Sequence, residues 1–520
     1  MSAKTKNTLP LTKVNSTLLT PGGTIHCQWD EEAPITLHGH LPYFSEFMHA
    51  GGLFGRLVKN CPLKYKSNNA PKVEDVLGTA LLSVLSGHTR YSHVGALYGD
   101  SVSPEILGIT KVISHDSMCR AFRNTDDALL IKWMQEELLY CCEPLLGNKY
   151  VLDVDPTVKA LYGHQEGAEK GYNPKKLNRP SHCYHSYFIG SLRLVLEAEV
   201  RAGNETAGCY SHDGLWDILD NRLPPHLHPS IIRGDIGFGN EDTMSGCESR
   251  QVKFLFKLKQ SINVKKLIEQ LEKSDHLWQD AGDGWKGYET HLKLMGWSRS
   301  RRVIVLRRPA SKKNRKELGN KLLPVTDTVV QEELFFPQVI EAEEIPKYDW
   351  AVLVTSLNDP IVAISQLYRD RGDCENIFDE LKNQWGWGGF TTHDIKRSSL
   401  MARLVALIYN WWNIFCRLAV PEKHIEAKTS RPLLQQVVGR LSNRGGKRLI
   451  HLCAVGAQSA DTRCLFEKIS AFLKKVISSA TQLNPVYRWT LILAWAFKVY
   501  LQGCPISPGS EGHQFLLPMH

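Results

Sequence analysis

The sequence lacks long apolar runs and the other features of a membrane-bound or secreted protein. Its most apolar stretch, residues 404–416, is too short to span a bilayer and is bounded by Arg403 and Arg417. The opening "MSAKTKNTLP" contains no apolar segment of the kind found in secretory signals. These absences predict a protein that stays in the cytoplasm.

Cysteine spacing excludes two further classes of protein. The 13 cysteines show no framework of the kind that stabilises small secreted domains, so we expect reduced thiols. In "SHCYHS", residues 181–186, a Cys lies between two His residues, but no second Cys/His pair follows at zinc spacing. A structural or surface role is therefore preferred over a metal site for this segment.

Internal repeats and low-complexity tracts are also missing. The 520 residues are 42% apolar and 22% charged, which is ordinary for a folded protein and excludes extensive disorder. A chain of this length is expected to form about two to four domains with a large core. The net charge of +9 is a weak indication of a polyanionic partner.

Acidic residues are absent from one charged segment, residues 297–316. The segment contains nine basic residues: Arg299, Arg301, Arg302, Arg307, Arg308, Lys312, Lys313, Arg315 and Lys316. Over residues 327–349 the sign reverses and acidic residues dominate. Two interpretations of the basic segment stay open: a solvated loop, or a ribbon in which Arg301 and Arg302 contact phosphates.

The N-terminal part of the chain shows helical periodicity from Pro71 onward. A later segment, "SHDSMCRAFRN", predicts a helix that is capped by Ser114 and carries Arg120 and Arg123 on one face. Short helices followed by a Ser-capped basic helix favour a helix-turn-helix that binds DNA. A plain helical bundle is the alternative.

Strand signals begin at "KYVLDVDPTV" and continue through the middle of the chain. In this first strand Asp153 and Asp155 fall on one face and Leu152 and Val154 on the other. Further strands are predicted around Gly190, in "HPSIIRGD", in "QVKFLFKLK" and in "YDWAVLVTSL", with a helix near residues 241–250. Beyond residue 400 the pattern is helical, with basic connections such as "SNRGGKR". The middle therefore predicts a mixed α/β domain.

The most distinctive segment is "YRDRGDCENIFDELK", residues 368–382. On a single α-helix, Tyr368, Arg371, Glu375 and Lys382 would project within an arc of about 60°, beside an apolar stripe that packs the helix. Gly372 weakens a helix by about 1 kcal/mol relative to Ala. An alternative therefore lets the helix begin at Gly372 and leaves Tyr368 outside it.

Three carboxylates stand out by the elements that carry them. Asp155 and Asp235 lie at the ends of predicted strands, and Glu375 lies on the helix after the basic segment. Carboxylates that converge from separate elements suit Mg²⁺ or Mn²⁺, which prefer oxygen ligands. Two such ions about 3.5–4 Å apart can promote cleavage of a phosphodiester. Asp153, on the same strand face, is the main competitor of Asp155.

The pattern Tyr-x2-Arg-x3-Glu-x6-Lys resembles the signature of DDE transposases from bacterial insertion sequences. Upstream, "DVDPTVKALYGHQEGAEKGYNPKK" and "IRGDIGFGNEDTM" resemble the regions of the first and second aspartates in the branch known as insertion sequence thirteen-eighty, as does the N-terminal "GTALLSVLSGHTRYSHVGALYGD". The resemblance covers residues 70–420.

The resemblance implies a role for each matching residue. Asp155, Asp235 and Glu375 would be the catalytic residues and would bind two Mg²⁺ ions, for which Mn²⁺ can substitute. Tyr368, Arg371 and Lys382 would hold the DNA backbone. The remaining predicted DNA contacts, for which a solvated loop or a structural role is the alternative, are Lys175, Lys176, Arg179, Arg120, Arg123, Arg301 and Arg302.

The resemblance also implies the fold and its partners. We expect an α/β (α+β) protein whose ribonuclease-H-like catalytic core is interrupted by a β-rich insertion. The expected regions are a helical DNA-binding region (1–145), the first part of the core (146–260), the basic insertion (261–346), the second part of the core (347–420) and a helical C-terminal region (421–520). The partners would be terminal inverted repeats and target DNA, bound by a homodimer in the bacterial nucleoid.

The sequence thus predicts a cut-and-paste DNA transposase that cleaves the ends of its element and joins them to target DNA. Two alternatives stay open. A metal-dependent nuclease without strand transfer would need the same carboxylates, and a domesticated protein would bind DNA without cutting it.

Overall fold

The computed structural model describes residues 16–27, 30, 33–65, 67, 69–173, 176–310, 348–453, 458–479 and 485–502. The strands in these ranges are β1 (Ser16–Thr20), β2 (Gly23–Cys27), β3 (Ile35–Thr36), β4 (Val151–Ala160), β5 (Glu169–Lys170), β6 (Pro180–Ile189), β7 (Leu194–Ala202), β8 (Ile231–Gly234), β9 (Lys253–Lys257), β10 (Gln279–Asp280), β11 (Lys286–Leu292), β12 (Arg301–Pro309), β13 (Tyr348–Thr355), β14 (Gly439–Arg444) and β15 (Lys447–Leu452).

The α-helices in the described ranges mostly precede β4 or follow β13. They are α1 (Leu41–Ala50), α2 (Leu53–Asn60), α3 (Val73–Leu85), α4 (Val102–Leu107), α5 (His115–Arg123), α6 (Asp127–Leu146), α7 (His212–Asp217), α8 (Glu241–Ser249), α9 (Ile262–Lys273), α10 (Ile361–Arg369), α11 (Gly372–Gln384), α12 (Ile395–Ala419), α13 (Ala427–Leu434), α14 (Gln458–Ser479), α15 (Pro485–Ala496) and α16 (Lys498–Leu501). Within the described ranges, no helix combines the length and the apolarity needed to cross a bilayer.

One large mixed sheet organises the fold. Its central part has the order β7-β6-β4-β8-β9, in which β4, β8 and β9 run parallel and β6 and β7 run antiparallel to their neighbours. The order and directions are those of a ribonuclease-H-like core, so the predicted fold class is confirmed.

The predicted insertion extends the same sheet. β13 pairs with β9, β12 with β13 and β11 with β12, all antiparallel, while α9 joins β9 to this extension. The strand prediction for the basic segment is thus confirmed as far as residue 310. The rest of that segment, with Lys312, Lys313, Arg315 and Lys316, and most of the acidic run that follows lie outside the described residues.

Helix α12 is the apolar stretch noted in the sequence, and it lies buried against the edge strand β7. The amide of Asn410 pairs with the backbone of Val195 as another strand would, accepting from its N–H at 2.8 Å and donating to its carbonyl at 2.7 Å. Asn413 donates to the carbonyl of Arg193 at 2.7 Å. The helix therefore satisfies an exposed sheet edge, which would otherwise invite further pairing.

A buried ion cluster ties α12 to the sheet. Glu197 on β7 is 1% exposed and accepts from Arg403 of α12 at 2.7 Å and from Arg222. Burial raises the pKa of Glu197, but the two guanidinium groups outweigh that effect and bring it below its ordinary value. Arg222 also donates to the carbonyl of Gln135 on α6. The cluster therefore joins three elements through one carboxylate.

The histidines of "SHCYHS" lie inside the protein on β6, in agreement with a structural role. His182 contacts the carbonyl of Glu166 at 2.8 Å, and His185 contacts the carbonyl of Glu205 at 2.8 Å and the hydroxyl of Ser211. Burial lowers the pKa of His185 to about 4, against about 6.5 in an unfolded chain.

This depressed pKa predicts a pH-dependent loss of stability. Between pH 6.5 and 4 the unfolded chain binds a proton at this position that the folded chain does not, so the free energy of unfolding falls as the pH falls. We expect His185→Gln to reduce the slope of that fall by about 1.4 kcal/mol per pH unit. Urea unfolding at several pH values measures it. His164→Gln, at an exposed position, should retain the wild-type slope.

The C-terminal part differs from the prediction in one element. The segment containing "SNRGGKR" is not a connection between helices but the hairpin β14–β15. The two glycines form its turn with φ values of 55° and 72°, a left-handed conformation that most other residues adopt at a cost. The flanking segments have helical periodicity, which favours the prediction of a connection between helices. The Gly-Gly pair, which is typical of a hairpin turn, indicates the strand pair instead.

Candidate active site

Asp155 and Asp235 become neighbours through the register of two parallel strands. β4 pairs with β8 such that Asp153 lies opposite Arg233 and Val154 opposite Gly234. Continuing this register by one residue sets Asp235 beside Asp155. Adjacent strands are about 4.8 Å apart. Asp235 is held in its turn by the N–H of Gly237, which donates to its Oδ1 at 2.9 Å.

The segment that carries Glu375 is two helices, not one. α10 ends at Arg369 and α11 begins at Gly372, with a turn at Asp370 and Arg371. The prediction that the four signature residues project within one arc of a single helix is therefore wrong. The alternative of a helix beginning at Gly372 is confirmed, with Tyr368 on the preceding helix. Glu375 lies in the first turn of α11, where a carboxylate is stabilised by the helix dipole.

Arg371 joins two of the carboxylates. Its guanidinium is 8% exposed and donates to Oδ2 of Asp155 and, at 3.0 Å, to Oε1 of Glu375. The side chain of Glu375 is otherwise open to solvent, with 69% exposed. The fold therefore brings Arg371 and Glu375 to Asp155, although Asp155 and Arg371 are 216 positions apart in the chain.

The pKa of Asp155 reflects the neighbouring charges. Burial above all, together with Asp235 and Glu375, raises the pKa of Asp155 to about 7 against the opposing effect of Arg371. Burial also raises the pKa of Tyr368 to about 12, and Asp235, Asp155 and Glu375 add to that effect. A site in which carboxylates repel one another favours a bound cation.

Asp153 has a different role from Asp155. It is fully buried and forms a paired contact with Arg233, whose Nη2 donates to its Oδ2 at 2.8 Å. Arg233 also donates to the carbonyl of Leu367, at the end of α10. This pair locks β4, β8 and α10 together beneath Asp155. The residue Arg233 was not predicted, although its position in Arg-Gly-Asp beside a charged strand could have indicated it.

A second unpredicted anchor fixes α11 from its opposite side. Glu380 is 1% exposed and accepts from His424 at 2.6 Å, the N–H of Ala427 at 2.9 Å and the indole of Trp385 at 3.2 Å. Cys374, Phe378 and Leu381 pack on the core, as the predicted apolar stripe requires. The orientation of Glu375 is therefore set by packing and by a buried carboxylate on the same helix.

The other signature residues surround the carboxylates. Lys382 donates to the hydroxyl of Thr157, two residues beyond Asp155 on β4. Tyr368 is half-buried above the same strand end and packs on the smaller hydrophobic cluster of the insertion. Both side chains thus border the site that Asp155 and Glu375 define.

Two of the other predicted groups present basic side chains at the surface. Ser114 caps α5 by accepting from the N–H of Ser117 at 3.2 Å, as predicted, and Arg120 and Arg123 are exposed on that helix. Lys176 donates to the hydroxyl of Tyr162, and the guanidinium of Arg179 lies 4.1 Å from the centre of the same ring. Lys175 lies outside the described residues.

Arg301, Arg302 and Arg308 in the insertion pair with carboxylates of the same chain. Arg301 is 4% exposed and bonds Glu241 at 2.6 Å and Glu248 at 2.8 Å. Arg302 pairs with Glu289 at 2.7 Å, and Arg308 pairs with Asp349 at 3.3 Å. Burial and pairing do not favour the predicted contact of Arg301 with DNA, because a phosphate would have to displace two carboxylates.

The donor set fits a hard divalent cation. In the described ranges, no group of three or more His, Cys, Asp or Glu side chains is arranged to hold a metal ion. Asp155 and Glu375 nevertheless already share one cation, the guanidinium of Arg371. Carboxylate oxygens are the ligands that Mg²⁺ and Mn²⁺ prefer. Asp235, next to Asp155 in the register, would complete a site of three carboxylates.

Comparison with known proteins shows the family to which the chain belongs. A search of curated proteins finds no significant match. Among solved structures, a similar chain is that of a piggyBac transposase in a synaptic complex with hairpin DNA, with 10% identity, a TM-score of 0.37, and 88% of this chain and 85% of that chain covered. A TM-score this low supports no argument about the site. The family described as Transposase DDE domain group 1 matches residues 38–474, so this chain belongs to that family and is a DNA transposase.

Proposed function

We propose that this transposase cleaves the two ends of its own DNA element and joins the freed 3′-OH groups to target DNA, in cut-and-paste transposition. The observation that carries the proposal is the contact of Asp155 and Glu375 with the guanidinium of Arg371, with Asp235 next to Asp155 in the continued register and the pKa of Asp155 raised to about 7. Carboxylates beside the Tyr368, Arg371 and Lys382 side chains suit a phosphodiester bound to a cation.

The three carboxylates are the proposed ligands of two Mg²⁺ ions, and Mn²⁺ can replace them. DDE transposases use divalent metal ions. When bound, such ions lower the pKa of an attacking water or hydroxyl and stabilise the leaving oxygen. Asp155 would supply an oxygen from within β4, Asp235 one from the turn after β8, and Glu375 one from a helix that Glu380 orients.

The signature cations hold the substrate in this proposal. Arg371 can bind a phosphate with two parallel hydrogen bonds once its guanidinium leaves Asp155 and Glu375. Lys382 contributes a point charge beside β4, and the hydroxyl of Tyr368 can donate to a phosphate oxygen. No covalent bond between protein and DNA is needed, because water and then the 3′-OH act as nucleophiles.

Further contacts with the DNA are proposed outside the catalytic centre. Arg120 and Arg123 would contact the ends of the element from α5, and Lys176 and Arg179 would contact the strand near Tyr162. The exposure of these side chains supports the proposal for Lys176, Arg120 and Arg123. For Arg301 we propose a structural role instead, as the cation that binds α8 to β12.

The finer identity is also a proposal. The motifs around Asp155 and Asp235 support membership of the branch known as insertion sequence thirteen-eighty. We propose a homodimer that pairs the two element ends, acting on DNA of the bacterial nucleoid. The nuclease and the non-catalytic binding protein remain the alternatives, and no contact in the structure favours either.

Strand transfer is the step that tests the proposal. The substrates are labelled duplexes carrying the element's end, either intact or pre-cut with a free 3′-OH, and a target plasmid. In Mg²⁺ or Mn²⁺ we expect cleavage of the first substrate and covalent joining of the second, both abolished by EDTA. Pre-cut ends with a 3′-deoxy terminus are the control and should not join.

The outcomes separate the three functions. Cleavage without joining would establish a nuclease. Specific binding of the ends without cleavage in either metal would overturn the catalytic proposal in favour of a DNA-binding protein.

A further inference from the structure

The hairpin β14–β15 projects from the fold as a two-stranded ribbon. β3 pairs with β14 only at its base, through Gly439 and Arg440, and within the described ranges no third strand pairs with the ribbon beyond these residues. The turn at Gly445 and Gly446 and the residues around it are exposed. No Asp or Glu occurs between Glu426 and Asp461 in the sequence. The ribbon is therefore both exposed and free of acidic residues.

The two faces of the ribbon differ in character. The register pairs Leu441 with Ile450, and these two side chains face the groove lined by α1, α2 and α4. Arg444 lies opposite Lys447 and Arg440 opposite His451, which puts all four on the other face. Because side chains alternate along a strand, the ribbon packs one face on the helices and presents a basic face outward.

The outward cations differ from Arg301, Arg302 and Arg308 of the insertion, which each pair with a carboxylate of this chain. Among the described residues, no carboxylate forms an ion pair with Arg440, Arg444 or Lys447, all of which are exposed. Arg448, on the inward face, pairs instead with Glu105 at 3.3 Å. Cations that lack a carboxylate partner on a projecting face favour binding of a polyanion over packing against another part of this chain.

We propose that the outward face of β14–β15 binds duplex DNA, with Arg440, Arg444 and Lys447 contacting backbone phosphates. The inference rests on the proposed function, in which DNA is the substrate, and adds a binding surface remote in sequence from the signature residues. A two-stranded ribbon fits the major groove of B-DNA, and its width matches that of an α-helix in the same groove. Arg440 and Arg444 are about 13 Å apart along the strand, which spans several phosphates.

The test compares three proteins. The first is wild type and the second is Arg440→Gln/Arg444→Gln/Lys447→Gln. The third, Lys265→Gln/Lys266→Gln/Lys273→Gln, removes the same charge from exposed positions on α9. Each is titrated against a fluorescently labelled duplex carrying the element's end over a range of KCl concentrations. Thermal unfolding of each protein shows that it is folded.

Each phosphate contact contributes about 0.9 to the slope of log K against log salt. The hairpin variant should therefore lose between about 2 and 3 in slope and bind about 100-fold more weakly near physiological salt. The α9 variant should keep the wild-type slope. If the triple hairpin variant does not fold, Lys447→Gln alone should lower the slope by about 1.

An unchanged slope and affinity for the hairpin variant would overturn the inference, as would an equal loss in the α9 variant. Wild-type cleavage and joining in Mg²⁺, together with unchanged binding by the hairpin variant, would overturn the hairpin surface alone. Failure of the wild type to bind any duplex would overturn the proposed function and the hairpin surface together.

Discussion

Glu375→Gln is expected to abolish cleavage of the element's ends while leaving DNA binding within about twofold of wild type. The amide has nearly the same shape but carries no charge, so the cluster of Asp155, Asp235 and residue 375 would bind Mg²⁺ poorly. Loss of several kcal/mol of transition-state stabilisation corresponds to a cleavage rate reduced at least about 10³-fold. Initial rates of cleavage in Mg²⁺ and binding of the same duplex in EDTA measure the two effects separately.

Asp379→Asn is the matched control for this experiment. Asp379 lies one turn further along α11, is exposed, and accepts from the amide of Asn383 on the same helix at 2.7 Å. Its loss should change the rate less than about twofold, since an exposed contact of this kind contributes little. Equal rates for Glu375→Gln and wild type would remove Glu375 from the catalytic centre.

Glu197→Leu is expected to lower the free energy of unfolding by about 3–5 kcal/mol. The substitution leaves Arg403 and Arg222 without the carboxylate that both contact. Glu197 is 1% exposed, so this carboxylate is lost from the interior of the protein. Unpaired buried guanidinium groups cost far more than the pair contributes in the native protein. Urea unfolding followed by circular dichroism measures the change. Because Glu197 lies on β7, away from the signature residues, cleavage per folded molecule should be unchanged.

The control for this prediction is an ion pair at the surface. Asp220 binds Arg250 at 2.6 Å, and its side chain is 43% exposed. Asp220→Asn should cost at most about 1 kcal/mol, because exposed pairs are screened by solvent. A loss as small as this in Glu197→Leu would show that water replaces the carboxylate and that the cluster does not hold α12 to the sheet.

The candidate catalytic residues could be singled out because the patterns that indicate them are local. Asp155 lies on a strand with alternating apolar residues and Asp235 follows another strand, so the residues around each indicate its element. The prediction that Asp155 ends its strand is wrong, because β4 continues to Ala160 and pairs with β6 along that length. Glu375 lies on a helix whose apolar stripe, Cys374, Phe378 and Leu381, is visible in the sequence and buried in the structure. The spacing of apolar residues depends on a few neighbouring residues, so it can be recognised in the sequence.

The partners of these residues could not be predicted, because they depend on contacts between distant segments. Arg301 sits in a basic run that resembles a DNA-binding ribbon, yet its carboxylates come from α8, more than fifty residues earlier. Gly372 indicated a possible helix start, but the contact of Arg371 with Asp155, 216 positions away, could not be predicted from neighbouring residues. The hairpin β14–β15 was not predicted because the segments around it have helical periodicity, although its Gly-Gly turn is typical of a hairpin.

The parallel pairing of β4 with β8 has a consequence for how relatives of this protein can differ in length. Asp155 and Asp235 are neighbours because of the register between two strands, not because of the number of residues between them. The connection that includes β6 and β7 can therefore gain or lose residues in its surface turns at little cost. A single insertion within "IIRGD", however, would shift the pleat and turn the second carboxylate to the opposite side of the sheet. Length variation should be common in the turns and absent from that strand.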